Sequence, residues 1–415
     1  MKERRVFILA ILILAAFLVQ VAWAAEEQAV SGNGYTQLKK ADVNPDFSAY
    51  LAEKSAGTVA AATVEGRRLG FIPPPVDLQY LQGKSLPRGS FVTQQATGVM
   101  QALLSKYDLR TAGRVTPVKD QDGCGDCWAF ATFGSLESYF KSPQTVSLDF
   151  SESDLNANSG FSVGSCNGGN QFMSTAYLSR WSGPIFEGGT PGTAVKHVQD
   201  VTFIPARASS SDNTNIKNAI YSTAGIYSAF YYTSGSYNPK TYSYYYSGRS
   251  ASNHAITLVG WDDNYAKSNF KPAAPGNGAF IAKNSWGTAW GQSGYFYISY
   301  YDARIGKDNA LFTGEPTTNY NAKYQYDPLG WVTSYGCSAT TGWFANVFPS
   351  TGGKLAAVSF YSAMTNSPYA VWVYANPTIG NPVSGTLAYT GTGTITTPGY
   401  HTVKLTSPVT LPGPG

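Results

Sequence analysis

Two cysteines stand three positions apart in Gln121-Asp122-Gly123-Cys124-Gly125-Asp126-Cys127-Trp128-Ala129-Phe130. A cysteine attacks a carbonyl as its thiolate, and a free thiol ionises only near ~8.5, so a nucleophilic cysteine needs a helix N-terminus or a cation beside it. It also needs a donor for the oxyanion that forms on the attacked carbonyl. The glycines keep Cys124 to Cys127 out of helix, and from there Trp128, Phe133, Leu136 and Phe140 recur at helical spacing. Cys127 is therefore expected in the first turn of an apolar helix, with Gln121 as the oxyanion donor. Asn253-His254-Ala255-Ile256-Thr257-Leu258-Val259 puts a histidine at the start of an apolar strand, and Lys283-Asn284-Ser285-Trp286 supplies an asparagine followed by an indole. Nucleophile, base and a third group that orients the base complete a triad.

A Cys-x-x-Cys pair has other uses. A redox dithiol sits in a thioredoxin-like βαβ unit, and this pattern lacks one. Zinc needs two further ligands at suitable spacing, and the chain has 3 histidines, His197, His254 and His401. Neither metal nor cofactor is expected.

The three segments, in this order, closely resemble the papain family of cysteine endopeptidases over roughly Tyr107 to Phe312. Gly164-Ser165-Cys166-Asn167-Gly168-Gly169 is a fourth matching motif, and Tyr107 to Gln121 resembles the family's mature N-terminus. The resemblance implies an α+β, two-lobed catalytic domain: a helical lobe and a β-barrel-like lobe. It implies Cys127 as nucleophile, His254 as its partner, Asn284 orienting the imidazole and Trp286 shielding that hydrogen bond. Gln121 and the Cys127 backbone N–H would form the oxyanion hole. It also implies a Cys124–Cys166 disulfide, closing a loop of about 40 residues and contributing ~3–4 kcal/mol in the chain-entropy model. Gly168 and Gly169 read either as plain turn glycines or as a bare backbone edge for an extended substrate, with Asn253 also at the substrate. Asp126 departs from the family, which carries a small neutral residue there. A carboxylate at that point should raise the Cys127 pKa, and Asp122 adds to the same field.

The flanking chain sets the context. Lys2 to Arg5, the apolar run Val6 to Val19 and Ala22-Trp23-Ala24 read as a secretory signal peptide over residues 1–24. The run is shorter than the ~20 residues of a membrane span, so no stable anchor is expected after cleavage. Export makes a disulfide tenable. Residues 25–104 read as a propeptide, although the helical Glu-Arg-Phe-Asn prosegment signature is missing. Within it Leu69-Gly70-Phe71-Ile72-Pro73-Pro74-Pro75-Val76-Asp77 is forced into extended polyproline geometry. It is either a rigid spacer or a strand lying in the cleft, with processing expected between Leu81 and Leu103. Residues 105–315 form the peptidase domain. A surface loop, Asp263 to Ala279, is inserted between two of its strands. Residues 318–415 alternate like a β-sandwich and weakly resemble the lectin-like modules of prokaryotic papain relatives. Trp331, Trp343 and Trp372 there could stack on sugars or pack a core. Cys337 is a fourth, unpaired cysteine.

Composition narrows the function. Net charge is +4 and charged residues make up 13%, which argues against a nucleic-acid partner. The expected function is a secreted or cell-surface cysteine endopeptidase acting on protein or peptide, with a possible polysaccharide contact through the C-terminal domain. Two alternatives share the fold: a transpeptidase using the same acyl-enzyme, and an inactive surface-binding protein.

Overall fold

The computed structural model describes residues 38–56, 63–91, 103–141, 147–336 and 340–413. The chain divides into two units. The smaller contains an antiparallel pairing of Lys39–Lys40 with Tyr335–Gly336. The larger runs over 41–334 and 343–415 and carries everything that follows. The expected signal peptide and Cys337 lie outside the described residues, as do residues 92–102 of the Leu81 to Leu103 stretch.

Two apolar cores build the catalytic region, and Cys127 itself belongs to the first. One gathers Trp128, Phe133, Leu136, Phe172, Met173 and Tyr177 from the helices Cys127–Phe140 and Gln171–Ser179. The other gathers Ile256, Leu258, Trp261, Phe280, Phe296 and Ile298 from the β-rich half. The Cys127 helix begins where expected, with Trp128, Phe133 and Leu136 fully buried. Gly134 lets it press onto the His254 strand, because a Cβ there would lie 2.2 Å from Thr257 Oγ1. Ser151 caps the short helix Glu152–Asn158 by accepting the Asp154 N–H at 3.3 Å.

The strand His254–Asp262 is apolar and buried almost throughout, as a strand covered on both faces must be. It pairs with Ile226–Phe230 on one side and Ala279–Lys283 on the other. Tyr295–Ser299 follows Ala279–Lys283 antiparallel. On the far side of Ile226–Phe230 come Asn309–Pro316 and then Lys196–Ile204. The ladder continues into the C-terminal region, where Gly399–Thr410 pairs with Lys196–Ile204 and Lys354–Ser362 pairs with Gly399–Thr410. Ser367–Ala375 and Thr386–Ile395 form a separate antiparallel ladder. The inserted loop 263–279 is packed, with Phe270 and Ala274 buried against Tyr245.

Candidate active site

Cys127 opens its helix with a free, fully buried thiol. Its neighbour Cys124 is bonded to Cys166, the pairing that the resemblance implies. The Ala255 N–H donates to Cys127 Sγ at 3.4 Å, which places the sulfur beside the residue that follows His254. His254 Nε2 is 2.8 Å from Asn284 Oδ1. Trp286 covers this pair, its indole stacked on the imidazole at 4.8 Å between centroids. His254 Nδ1 is buried without a hydrogen-bond partner, so it is the free nitrogen of the ring.

Gln121 is held by a residue that sequence reasoning missed. Ser285 Oγ donates to Gln121 Oε1 at 2.6 Å, which turns the amide nitrogen toward the cleft. Gln121 Nε2 donates to the carbonyls of Cys124 at 2.7 Å and Arg68 at 2.9 Å. Ser285 stands next to Asn284 in the motif, so its position was visible, but its direction was not.

The N-terminal segment fills the cleft. Ile72 N–H donates to the Gly169 carbonyl at 2.9 Å, and Gly169 N–H donates to the Gly70 carbonyl at 2.9 Å. Phe71 N–H donates to the Asn253 carbonyl at 3.1 Å. The Asn253 side chain faces away and is tied to the Tyr232 backbone at 2.7 and 3.1 Å. Gly168 and Gly169 thus present a bare edge to an extended chain. A Cβ on Gly168 would lie 2.9 Å from the Gly70 carbonyl oxygen, and one on Gly169 would enter the Trp128 ring at 2.4 Å. The chain passes over the thiol at Gly70, where a Cβ would fall 1.9 Å from the Gly125 carbonyl oxygen.

The cover sets the electrostatics. Burial pushes the Cys127 thiol up to about 12, against partial relief from the N–H groups of Ala255, Gly70 and Trp128. Burial pushes the His254 imidazole down to about 4, opposed by its bond to Asn284. Both groups are neutral at pH 7 in this closed state. Asp126 is buried with Oδ1 unpartnered, and burial raises its carboxyl to about 7. Behind the helix lies a charge cluster that sequence reasoning also missed. Lys119 Nζ contacts Glu137 and Glu152 at 2.9 Å and Asp149 at 2.6 Å. Lys283 Nζ reaches Thr116 Oγ1 at 3.1 Å.

Of the three tryptophans considered for sugars, Trp331 is buried between Phe172, Phe203 and Tyr361. Trp343 and Trp372 are 75% and 41% exposed and stack on each other at 4.8 Å.

A helix-borne thiol beside a carboxamide-held imidazole, in a chain with a helical and a β-rich core, has the architecture of the two-lobed thiol hydrolases. Residues 103–311 match the model described as papain family cysteine protease, and the chain belongs to that family. Residues 323–414 match the model described as a lectin like domain. The chain is similar to a cathepsin L-like proteinase of Fasciola hepatica, with 33% identity over 216 residues. That match covers 48% of this chain and 61% of the proteinase. Among solved structures it resembles the cysteine protease and lectin-like domains of Cwp84, a surface layer associated protein of Clostridium difficile. There the TM-score is 0.71 with 24% identity, covering 92% of this chain and 84% of the other, a likeness of fold. A second Cwp84 structure, after propeptide cleavage, aligns with a TM-score of 0.61 and 26% identity, over 75% and 82% of the two chains.

Proposed function

We propose that this chain is a secreted or cell-surface cysteine endopeptidase, held latent by its own N-terminal segment. The observation that carries the reading is the convergence of Cys127, the His254–Asn284 pair and the Gln121 amide at one point of one cleft. In this reading Cys127 attacks the peptide carbonyl, and His254 protonates the leaving amine and later activates the deacylating water. Asn284 fixes the imidazole and Trp286 keeps water from that bond. Gln121 Nε2 and the Cys127 N–H receive the oxyanion. The Gly168–Gly169 edge and the Asn253 carbonyl hold the substrate backbone, as they hold Gly70 to Ile72 here.

Latency has three supports. Gly70 blocks the thiol, the Arg68 carbonyl occupies the Gln121 amide, and the cover keeps thiol and imidazole neutral. Removal of the segment, residues 25–104 in this reading, would rehydrate the pair. The Cwp84 structure after propeptide cleavage is a precedent in that protein. The surface placement of Cwp84 and the lectin-like match favour attachment to surface polysaccharide, with Trp343 and Trp372 as the exposed aromatic pair.

The test compares the 25–415 and 106–415 proteins on a peptide library. The shorter protein is expected to be the more active by at least tenfold. Cys127→Ala in it should abolish turnover, by three orders of magnitude or more by analogy with other triads, and leave its circular dichroism unchanged. Residual turnover in a purified, folded Cys127→Ala protein would sink the reading.

A further inference from the structure

On the Trp286 side of Cys127 the covered cleft holds a guanidinium. Arg67 Nη2 donates to the Trp286 carbonyl at 3.1 Å. Its Cζ lies 5.9 Å from the centroid of the Trp286 indole, and Nη2 is 3.9 Å from Asp120 Oδ2. The Arg67 side chain is 25% exposed and that of Asp120 37%.

The walls around this cation are fixed by the catalytic domain. Asp120 Oδ1 accepts the Asp122 N–H at 3.0 Å, and Asp120 and Trp286 are joined by an antiparallel bridge. Gly287 follows Trp286 without a side chain, and a Cβ there would lie 2.5 Å from Asp120 Oδ2. Asp122 lines the same depression as Asp120 and Arg67. Among the described residues Arg67 is the one cation paired with Asp120. Arg67 belongs to the segment whose loss activates the enzyme. Its departure leaves the Asp120 carboxylate, the Trp286 carbonyl and the Trp286 indole face together, with Asp122 lining the same depression.

We propose that Asp120, Asp122 and Trp286 form a subsite for a basic side chain. The processed enzyme then favours peptides with arginine, and less strongly lysine, on the Trp286 side of the scissile bond. The proposal rests on the peptidase reading and names its substrate class. Arg67 is the chain's own stand-in for that side chain. It stands three residues from Gly70, the residue over the thiol, so a substrate side chain within about three residues of the cleaved bond reaches the same place at ~3.3 Å per residue. Arginine is the better ligand because its planar face stacks on indole while its edge donates to carboxylate and carbonyl. The carboxylates are partly exposed, so each contact is modest, and together they favour arginine over a neutral isostere by on the order of tenfold.

The test uses the 106–415 protein and quenched peptides carrying Arg, Lys, Gln or Glu in turn at the three positions on that side of the cleaved bond. Mass spectrometry first identifies the bond. At one position kcat/KM should run Arg above Lys above Gln above Glu, and the Arg advantage should shrink in high salt. Asp120→Asn keeps the oxygen that accepts the Asp122 N–H, so the loop stays in place. It should bring the Arg-to-Gln ratio close to one, and Asp122→Asn should lower it less. Equal cleavage of the Arg and Gln peptides at all three positions overturns the subsite and leaves the peptidase reading standing. So does an Arg preference untouched by Asp120→Asn and by salt. A folded protein that cleaves none of the peptides defeats the peptidase reading, and the subsite with it.

Discussion

Asp126 stands where the family resemblance implies a small neutral residue. Its carboxyl is buried, one oxygen lacks a partner, and burial raises its pKa from near 4 to about 7. The fold therefore favours the protonated form. That stability is complete below the free carboxylate's value and is lost as pH rises through about 7. Asp126→Asn should stabilise the protein by about 1–3 kcal/mol at pH 8 and hardly at all at pH 4, which thermal melts at the two values would reveal. The ionised carboxylate also raises the Cys127 pKa, though less than burial does. In the processed enzyme Asp126→Asn should thus move the acidic limb of kcat/KM to lower pH. An unmoved limb would mean that solvent screens the carboxylate once the cleft is open. Cys127, His254, Asn284 and Gln121 could be singled out in the sequence because each sits in a local motif. The field of Asp126 was anticipated, but its burial was not, since burial comes from packing of distant chain. Ser285 was missed for a related reason: a serine can face any of several ways, and the contact with Gln121 spans 164 residues.

The element that closes the cleft was legible in outline and displaced in detail. The proline-rich stretch Leu69 to Asp77 reads either as a rigid spacer or as a strand lying in the cleft. The crossing falls earlier, at Arg67 to Ile72. The reason is hydrogen bonding. The Gly169 and Asn253 carbonyls need donors, which Ile72 and Phe71 supply and proline cannot. The prolines lie beyond, where the Pro74 and Pro75 carbonyls serve only as acceptors for Asn44. Gly70 is then the critical position of the element, because any side chain there meets the Gly125 carbonyl oxygen. Gly70→Ala should weaken the cover by about 1–3 kcal/mol, the usual cost of overpacking. The full-length Gly70→Ala protein should show higher basal turnover and faster alkylation of Cys127 than the parent, while the 106–415 protein is unaffected because it lacks the residue. Parent-like latency would place the block elsewhere, with the Arg68 carbonyl on Gln121 the next contact to test.

At the scale of the molecule, the C-terminal region is less separable than the domain pattern implied. Composition and turn spacing marked a change near residue 318, and the matched families change between 311 and 323. Strand pairing ignores that change: Gly399 and Tyr400 pair with Thr202 and Val201, so one sheet runs through both regions. Alternation within a strand tells which face is apolar but not which strand lies beside it, so this continuity could not be read from the sequence. The His401–Asp200 contact at 3.1 Å and the Thr402 Oγ1 bond to the Gln199 carbonyl at 2.7 Å fasten the same seam. Trp331 closes it from the side, packed on Phe172 and Phe203 of the catalytic half and on Tyr361 of the C-terminal half. Trp331→Ala should therefore cost about 3–5 kcal/mol, the range for removing a buried aromatic, and lower the melting midpoint by several degrees. Trp343→Ala and Trp372→Ala remove exposed rings and should leave the midpoint nearly unchanged. Deleting 318–415 should act like a more severe Trp331→Ala, because it bares Phe172, Phe203 and the edge of Lys196–Ile204 at once. The truncated protein should lose peptide turnover in proportion to its folded fraction, with kcat per folded molecule close to that of the parent. A soluble truncated protein that melts at the parent's temperature would show that the seam contributes little, and that the two regions fold independently.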